Sequence, residues 1–208
     1  MSASNDTIFV VDDDQDLRNS LQWLLESAGF RAEVFSSAEE FLAMYTDARP
    51  GCLLLDVRMP GMGGLRLLEH LRAMRTQLPV IVFTGHGDVP MAVQALKWGA
   101  FDFMEKPAGG REVLDRIQEA LAATREKSAQ NSERQAFRQR LAQLSPRERA
   151  VLERVVEGAS SRTIGREMGI SDRTVEKHRE NMMLKMKAHS LAALIRMIAL
   201  HQATRGQS

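Results

Sequence analysis

Short apolar runs alternate with longer amphipathic stretches along the first 121 residues of the chain. The runs lie at 7–11, 32–35, 52–55, 79–83 and 101–104, and the amphipathic stretches lie at 15–28, 38–47, 64–76, 89–98 and 110–121. This alternation is typical of parallel strands connected by helices. The sequence therefore predicts an α/β doubly wound domain with a parallel five-stranded sheet.

Residues that can handle a phosphoryl group follow four of these runs. Asp12 and Asp13 follow the first run, Asp56 the third, Thr84 the fourth and Lys106 the fifth. The carboxyl ends of parallel strands meet at one edge of a sheet, where such folds bind their ligands. We therefore expect these five side chains to share one crevice.

The carboxylates in this set predict phosphoryl chemistry assisted by a metal ion. A carboxylate can accept a phosphoryl group covalently, but the dianionic group is repelled by neighbouring acids unless a divalent cation is present. Mg²⁺ commonly binds one or two carboxylates and keeps several waters. We expect Asp13 and Asp56 to bind it directly, Asp12 to bind it through water, and Lys106 to balance a phosphoryl oxygen as a point charge.

Four motifs around these residues resemble those of the response-regulator receiver domain. They are VDDD at 11–14, LDVRMPG at 55–61, TGHGDVP at 84–90 and FMEKP at 103–107. The resemblance covers about residues 5–121 and implies the flavodoxin-like strand order 2-1-3-4-5. An isolated acid pair, threonine or phenylalanine is more often a solvated loop, a cap or a core residue, so the prediction depends on their combination.

The resemblance also implies a phosphoryl donor and a full set of metal ligands. A sensor histidine kinase would phosphorylate Asp56, and Mg²⁺ or Mn²⁺ would be bound by Asp12, Asp13, Asp56 and the backbone carbonyl of Arg58. A phosphohydrolase of the haloacid-dehalogenase type is an alternative, but it needs a second acid two residues after the nucleophile. Arg58 stands at that position, so we expect a switch and not an enzyme.

A hydroxyl and an aromatic side chain form the switch that the resemblance implies, here Thr84 and Phe103. The Thr84 hydroxyl can donate to a phosphoryl oxygen, which draws its loop inward and leaves room for Phe103 to turn toward the core. Such a coupling biases a surface between two states. His86, between two glycines, is expected to be a loop residue near this switch without a catalytic role.

The charge of the chain differs between its two halves. Residues 1–120 contain 11 Lys and Arg against 18 Asp and Glu, a net charge of −7, whereas residues 121–208 contain 17 against 9, a net charge of +8. Halves of opposite charge indicate different partners. The segment 122–143 has no Gly or Pro and predicts a stiff helical linker. We therefore expect a receiver domain over 1–121, this linker, and a second domain over 144–208.

The second domain is predicted to contain a helix-turn-helix. Its four predicted helices lie at 147–157, 160–168, 172–187 and 190–201, and Gly-Ile-Ser at 169–171 forms the turn. The motifs SPRE at 145–148, GIS at 169–171, TVEKHR at 174–179 and KM at 185–186 resemble the LuxR-type helix-turn-helix of FixJ and NarL regulators. The resemblance makes 172–187 a recognition helix for double-stranded DNA.

A recognition helix presents its early residues to base edges and its flanks to phosphates. Lysine suits guanine, and glutamate can accept a hydrogen bond from cytosine. The expected base readers are Thr174, Glu176, Lys177 and Glu180, and the expected phosphate contacts are Arg162, Arg173, His178, Arg179, Asn181 and Lys185. Gly165, where the family often has Ala, is expected to loosen the first helix of the motif. The alternative is a small helical protein-interaction domain whose charges only solvate its faces.

Together the two resemblances imply a two-component transcription regulator. We expect phosphorylation to promote a homodimer that binds promoter DNA, contacts RNA polymerase and activates transcription; an RNA-binding or protein-binding output is the alternative. The last helix is expected to supply part of the dimer face through Leu191, Leu194, Ile195 and Ile198. Since no apolar stretch reaches the roughly 18 to 20 residues that span a bilayer, we expect a cytoplasmic protein without membrane contact.

Overall fold

The computed structural model describes residues 6–47, 49–85 and 87–203. The chain divides into two compact units, Met1–Lys127 and Ser128–Ser208. The first unit contains a five-stranded sheet with helices on both faces, and the second is helical in the part that is described.

The sheet of the first unit is parallel throughout, with the strand order β2-β1-β3-β4-β5. Its strands are β1 (Thr7–Val11), β2 (Arg31–Phe35), β3 (Gly51–Leu55), β4 (Val80–Thr84) and β5 (Asp102–Glu105). The helices are α1 (Gln15–Ser27), α2 (Ala38–Met44), α3 (Gly64–Ala73), α4 (Val89–Lys97) and α5 (Gly110–Ala142). The predicted fold class and strand order are confirmed.

Two apolar layers bury the sheet. On one face the side chains of Phe9 and Leu53 pack with residues of α2, α3 and α4, such as Phe41. On the other face Ile8 and Leu54 pack with α1 and α5. Because both faces are covered, β1, β3 and β4 are buried along their whole length, which explains why these strands read as unbroken apolar runs.

The strand register brings the polar residues at the strand ends together. Val11 of β1 is paired with Leu55 of β3, and the Asp56 N–H donates to the Val11 carbonyl at 2.9 Å. Asp12 and Asp56 directly follow these paired strands, and their backbones therefore lie side by side. On the other side of the crevice, the Lys106 N–H donates to the Thr84 carbonyl at 2.9 Å, which fixes the β5 end against β4.

Helix α5 contributes to both units. Its 33 residues run without interruption through the segment expected to be a linker. Arg125 forms an ion pair with the buried Asp6, whereas Phe137 and Leu141 pack in the core of the second unit. The division between the two units follows Lys127, within this helix.

The second unit is built from the end of α5 and four further helices. They are α6 (Pro146–Val156), α7 (Ser161–Met168), α8 (Asp172–Met186) and α9 (Leu191–Ala203). Ser145, Ser160 and Ser171 cap α6, α7 and α8 by accepting backbone N–H groups, as serine commonly does at this position. Gly169 ends α7 in the left-handed conformation, which glycine adopts without strain.

Gly165 lies at a close approach between α7 and the turn that follows. A Cβ atom at this position would lie 2.8 Å from the Ile170 carbonyl oxygen and 3.1 Å from the Asp172 carboxylate. The glycine therefore allows the turn to pack tightly on α7, where the sequence had suggested only a looser helix.

Candidate functional site

Three carboxylates and one ammonium form an acidic crevice at the carboxyl ends of β1, β3 and β5. We use this name for Asp12, Asp13, Asp56 and Lys106. One carboxylate oxygen from each of the three acids lies within 4.8 Å of the others. Asp12 is 2% exposed and Asp56 is 8% exposed, while Asp13 is exposed to solvent. The crevice thus combines two buried acids with one at its mouth.

Asp12 forms hydrogen bonds with four other residues. Its N–H donates to the Phe35 carbonyl at 3.2 Å, and its carbonyl accepts from Arg18 Nη1 at 2.6 Å. Its carboxylate accepts the Asp14 N–H at 3.0 Å and the Lys106 ammonium at 2.5 Å. Burial nevertheless raises the pKa of Asp12 above its ordinary value, because desolvation outweighs these favourable contacts. A bound cation would compensate for this desolvation.

Lys106 contacts both buried acids of the crevice. Its Nζ lies 2.5 Å from Asp12 Oδ2 and 3.3 Å from Asp56 Oδ2, and it lies 5.6 Å from the centroid of the Phe83 ring. The lysine side chain is 17% exposed. An ammonium group at this position partly neutralises the two carboxylates. It is also close enough to form an ion pair with an anionic group added to Asp56.

The two expected switch residues lie on neighbouring strands. Thr84 ends β4 and is fully buried. Phe103 lies on β5 beside Val82 and packs, partly buried, against the core cluster between the sheet and α2 to α4. The Phe103 ring also borders Gly87, since a Cβ there would lie 2.8 Å from it. His86 lies outside the described residues.

The loop between β3 and α3 carries Asp56 and Arg58. The Arg58 N–H donates to Asp56 Oδ1 at 3.3 Å, which turns the backbone sharply at the acid. A contact from α2 also reaches this loop: the Glu39 carboxylate accepts the Met62 N–H at 2.8 Å. Glu39 and Arg18 were not anticipated as site residues, because their partners are backbone groups that residue types do not reveal.

The side chains expected to read bases are mainly on the solvent side of α8. Thr174, Glu176, Lys177 and Glu180 are exposed. Two of them pair with each other, Lys177 Nζ lying 3.3 Å from Glu180 Oε2, and Glu176 accepts a hydrogen bond from the Ser161 hydroxyl of α7. These exposed pairs contribute little to stability, so their partners can be exchanged for groups on DNA.

The side chains expected to grip phosphates differ in exposure. Arg162 and Arg173 are exposed, while His178 and Asn181 are partly buried. Arg179 is 28% exposed on its side chain and lies between α7 and α8, donating to the Ser161 hydroxyl at 2.8 Å and lying 3.8 Å from Glu176. Arg162 and Arg173 are therefore the most accessible cations of this set.

Lys185 has a structural contact that the sequence did not indicate. Its Nζ lies 2.6 Å from Glu148 Oε2, and Glu148 is only 4% exposed. Glu148 also accepts the Ser145 N–H at 2.8 Å and completes the capping box of α6. The hydrogen bond from Lys185 lowers the pKa of Glu148 despite its burial. Lys185 therefore joins α8 to the start of α6.

The apolar residues of α9 divide between two faces. Leu194 and Ile198 belong to the core that also contains Phe137. Leu191 and Ile195 are 39% and 41% exposed. Of the four residues expected to form the dimer face, Leu191 and Ile195 are thus exposed and Leu194 and Ile198 are buried in the core.

Comparison with known proteins assigns both units to families. Residues 8–118 match the response regulator receiver domain, and residues 142–198 match the luxR family of bacterial regulatory proteins. The chain belongs to the FixJ-like response regulators: it is a two-component response regulator that controls transcription, built from a receiver domain and a LuxR-type DNA-binding domain.

Relatives are similar over nearly the whole chain. The transcriptional regulatory protein FixJ of Bradyrhizobium diazoefficiens is 43% identical over 190 residues, covering 91% of this chain and 93% of the relative. FixJ of Azorhizobium caulinodans is 46% identical and covers 93% and 92%. The solved structure of the response regulator StyR is 39% identical and covers 94% of this chain and 99% of its own, with a TM-score of 0.85.

No helix among the described residues has both the length and the hydropathy that a bilayer span requires. The longest, α5, is rich in charged and amide side chains.

Proposed function

We propose that Asp56 is the phosphoacceptor of this regulator and that a sensor histidine kinase supplies the phosphoryl group. The observation that carries the proposal is the acidic crevice itself, in which Asp56 lies beside two further acids and within 3.3 Å of the Lys106 ammonium. An oxygen of the Asp56 carboxylate attacks phosphorus, the bond from phosphorus to the donor nitrogen breaks, and the imidazole leaves.

The residues present fit a divalent cation, Mg²⁺ or Mn²⁺. Three carboxylate oxygens within 4.8 Å of one another are the hard ligands such a cation prefers. Asp13 and Asp56 would bind it directly, Asp12 would bind it through water, and the Arg58 carbonyl would complete the set. When bound, the cation supplies positive charge that neutralises the phosphoryl oxygens.

Lys106 and the two switch residues, Thr84 and Phe103, respond to the new phosphoryl group. The Lys106 ammonium moves its contact from Asp12 toward a phosphoryl oxygen, and the Thr84 hydroxyl donates to another. The inward movement of the β4–α4 loop gives Phe103 room to turn further into the core. These changes alter the surface around α4 and β5, which promotes a homodimer.

The homodimer presents two copies of α8 to duplex promoter DNA. Thr174, Glu176, Lys177 and Glu180 read base edges, and Arg162 and Arg173 lead the phosphate contacts. The set of phosphate contacts also includes His178, Arg179, Asn181 and Lys185. To contact a phosphate, the Lys185 ammonium must weaken its ion pair with Glu148. We propose a cytoplasmic activator of transcription that contacts RNA polymerase and has no catalytic turnover of its own.

Two measurements test this proposal. The protein is incubated with acetyl phosphate and Mg²⁺, the acyl phosphate is reduced with borohydride, and mass spectrometry is expected to locate the reduction product at residue 56. A gel-shift titration with random duplex DNA, competed by duplex RNA, is expected to show salt-sensitive binding that RNA competes poorly. A reduction product at another residue, or stronger binding to RNA, contradicts the proposal.

A further inference from the structure

Glu39 connects helix α2 to the loop that carries the proposed phosphoacceptor. Its Oε1 accepts the Met62 N–H at 2.8 Å, across 23 positions of sequence. This hydrogen bond is the largest of the effects that lower the pKa of Glu39 below its ordinary value of 4.5. Glu39 is thus a charged acceptor for a backbone group of the β3–α3 loop at neutral pH.

Gly61 allows a close approach between the loop and this carboxylate. Its φ is +74°, a left-handed conformation that glycine adopts without strain, and a Cβ atom built on it would lie 2.8 Å from Glu39 Oε1. A side chain at position 61 would therefore require the Glu39 carboxylate to move.

The same loop is already fixed at its two ends. At its start, the Asp56 N–H donates to Val11 at 2.9 Å; at its end, the Gly64 N–H donates to the Val57 carbonyl at 3.0 Å. Between these points lies Arg58, whose carbonyl is the proposed metal ligand. The Glu39 contact supports this middle part from outside the loop.

We infer that Glu39 is a positioning residue, whose hydrogen bond to Met62 holds the β3–α3 loop so that the Arg58 carbonyl is preorganised for the divalent cation. The inference rests on the proposed function, because it needs a cation in the acidic crevice. Groups that hydrogen-bond to metal ligands commonly change metal affinity when they are removed, and Glu39 acts one step further away, through the Met62 backbone of the same loop. A residue that acts only on the helix start of α2 would not do so.

Three substitutions separate these roles. Glu39→Ala removes the acceptor, Glu39→Asp keeps the negative charge at the start of α2 but shortens its reach, and Glu39→Gln keeps an acceptor oxygen at the same reach. The Mg²⁺ concentration that gives half-maximal labelling by acetyl phosphate is expected to rise roughly threefold to tenfold in the Ala and Asp variants, at or below the lower end of the range for groups bonded directly to a ligand, and to stay near the wild-type value in the Gln variant. The rate at saturating Mg²⁺ is expected to be unchanged in all three.

Glu69→Ala, a change of an exposed glutamate on α3, serves as the matched control and is expected to behave as the wild type. Thermal unfolding without Mg²⁺ shows whether each variant is folded, and the Asp variant preserves the test if the Ala variant is not. The inference is overturned by equal Mg²⁺ dependence in the wild type and Asp variant, or by slow labelling that saturating Mg²⁺ does not restore. A wild type that acetyl phosphate does not label at Asp56 contradicts the proposed function instead.

Discussion

The buried acids of the acidic crevice and the charged side chains of α8 are surrounded in opposite ways. Asp12 and Asp56 are 2% and 8% exposed and share one ammonium group. Lys177 and Glu180 of α8 pair while their side chains remain 70% and 65% exposed. Buried charges interact strongly because water is excluded, whereas exposed charges are screened. We therefore expect a substitution in the acidic crevice to abolish most of the phosphorylation or signalling. A substitution on α8 should lower the DNA affinity only partly.

The largest expected effect is that of Asp56→Asn. The amide cannot form the acyl phosphate, so labelling by acetyl phosphate with Mg²⁺ is expected to fall to background, as measured by intact-protein mass spectrometry. Asp16→Asn, in the exposed first turn of α1, is the control and should be labelled like the wild type. Substantial labelling of the Asn variant would place the phosphoryl group on a different residue.

Lys106→Ala is expected to separate phosphorylation from signalling. The variant should still become phosphorylated at Asp56, but without the ammonium group no side chain transfers its contact from Asp12 to the phosphoryl oxygen. A reporter assay should then show loss of most of the activation, although mass spectrometry detects the phosphoryl group. Normal reporter activity in this variant would remove Lys106 from the switch.

Charge reversal on α8 tests whether a single exposed side chain contributes only part of the DNA affinity. Lys177→Glu is expected to weaken binding of a selected duplex by about 1 to 3 kcal/mol, a loss typical of one base contact, without changing the labelling of Asp56. Lys127→Glu makes the same change of charge on an exposed part of α5. If both variants lose DNA affinity equally, net charge and not the position on α8 determines binding.

Glu148 is a buried carboxylate of the second unit, only 4% exposed. Glu148→Gln weakens the contact with Lys185 and is expected to lower the free energy of unfolding of this unit by about 1.5 to 3 kcal/mol. Glu153→Gln, on the exposed side of α6, is the control. Chemical denaturation followed by circular dichroism measures the free energy of unfolding of both variants. Equal small decreases in the two variants would show that the buried Glu148 stabilises the unit no more than an exposed glutamate does.

The same pair predicts a pH dependence. The pKa of Glu148 is lowered in the folded chain from an ordinary value of 4.5, so its stabilising effect is fully present above that ordinary value. The effect is lost as the pH falls through the lowered pKa of the folded state. The difference in stability between the wild type and Glu148→Gln should therefore shrink on acidification below about pH 4.5, and a difference that grows instead would contradict this sign.

The smallest expected effect is that of Arg162→Ala. A single phosphate contact should reduce the slope of log affinity against log salt by about 0.9 and weaken binding to all duplex sequences alike. The slope is measured by fluorescence anisotropy over a range of salt concentrations. A loss confined to particular sequences would mean that Arg162 reads bases.

The crevice was more predictable from sequence than the surroundings of α8. Acids and a lysine that follow apolar strands must meet when the strands are parallel and in register, so Asp12, Asp56 and Lys106 could be placed from the pattern alone. Glu39 could not, because its partner is the N–H of Met62, and every residue but proline has such a group.

Lys185 and α5 show a second limit of the sequence pattern. A lysine on a recognition helix indicates a phosphate contact, but its pairing with Glu148 spans 37 positions and depends on how α6 packs on α8. Similarly, the composition of α5 predicts a helix, but it does not predict which of its residues pack in the first core and which in the second. Phe137 and Leu141 pack in the second core, which only the tertiary structure reveals.

The most direct test of phosphorylation-controlled DNA binding compares duplex binding by the wild type and the Asp56→Asn variant, each with and without acetyl phosphate and Mg²⁺. We expect the phosphodonor to tighten binding by the wild type and to leave binding by the variant unchanged. Equal tightening in both proteins would show that the acidic crevice does not control the DNA-binding domain.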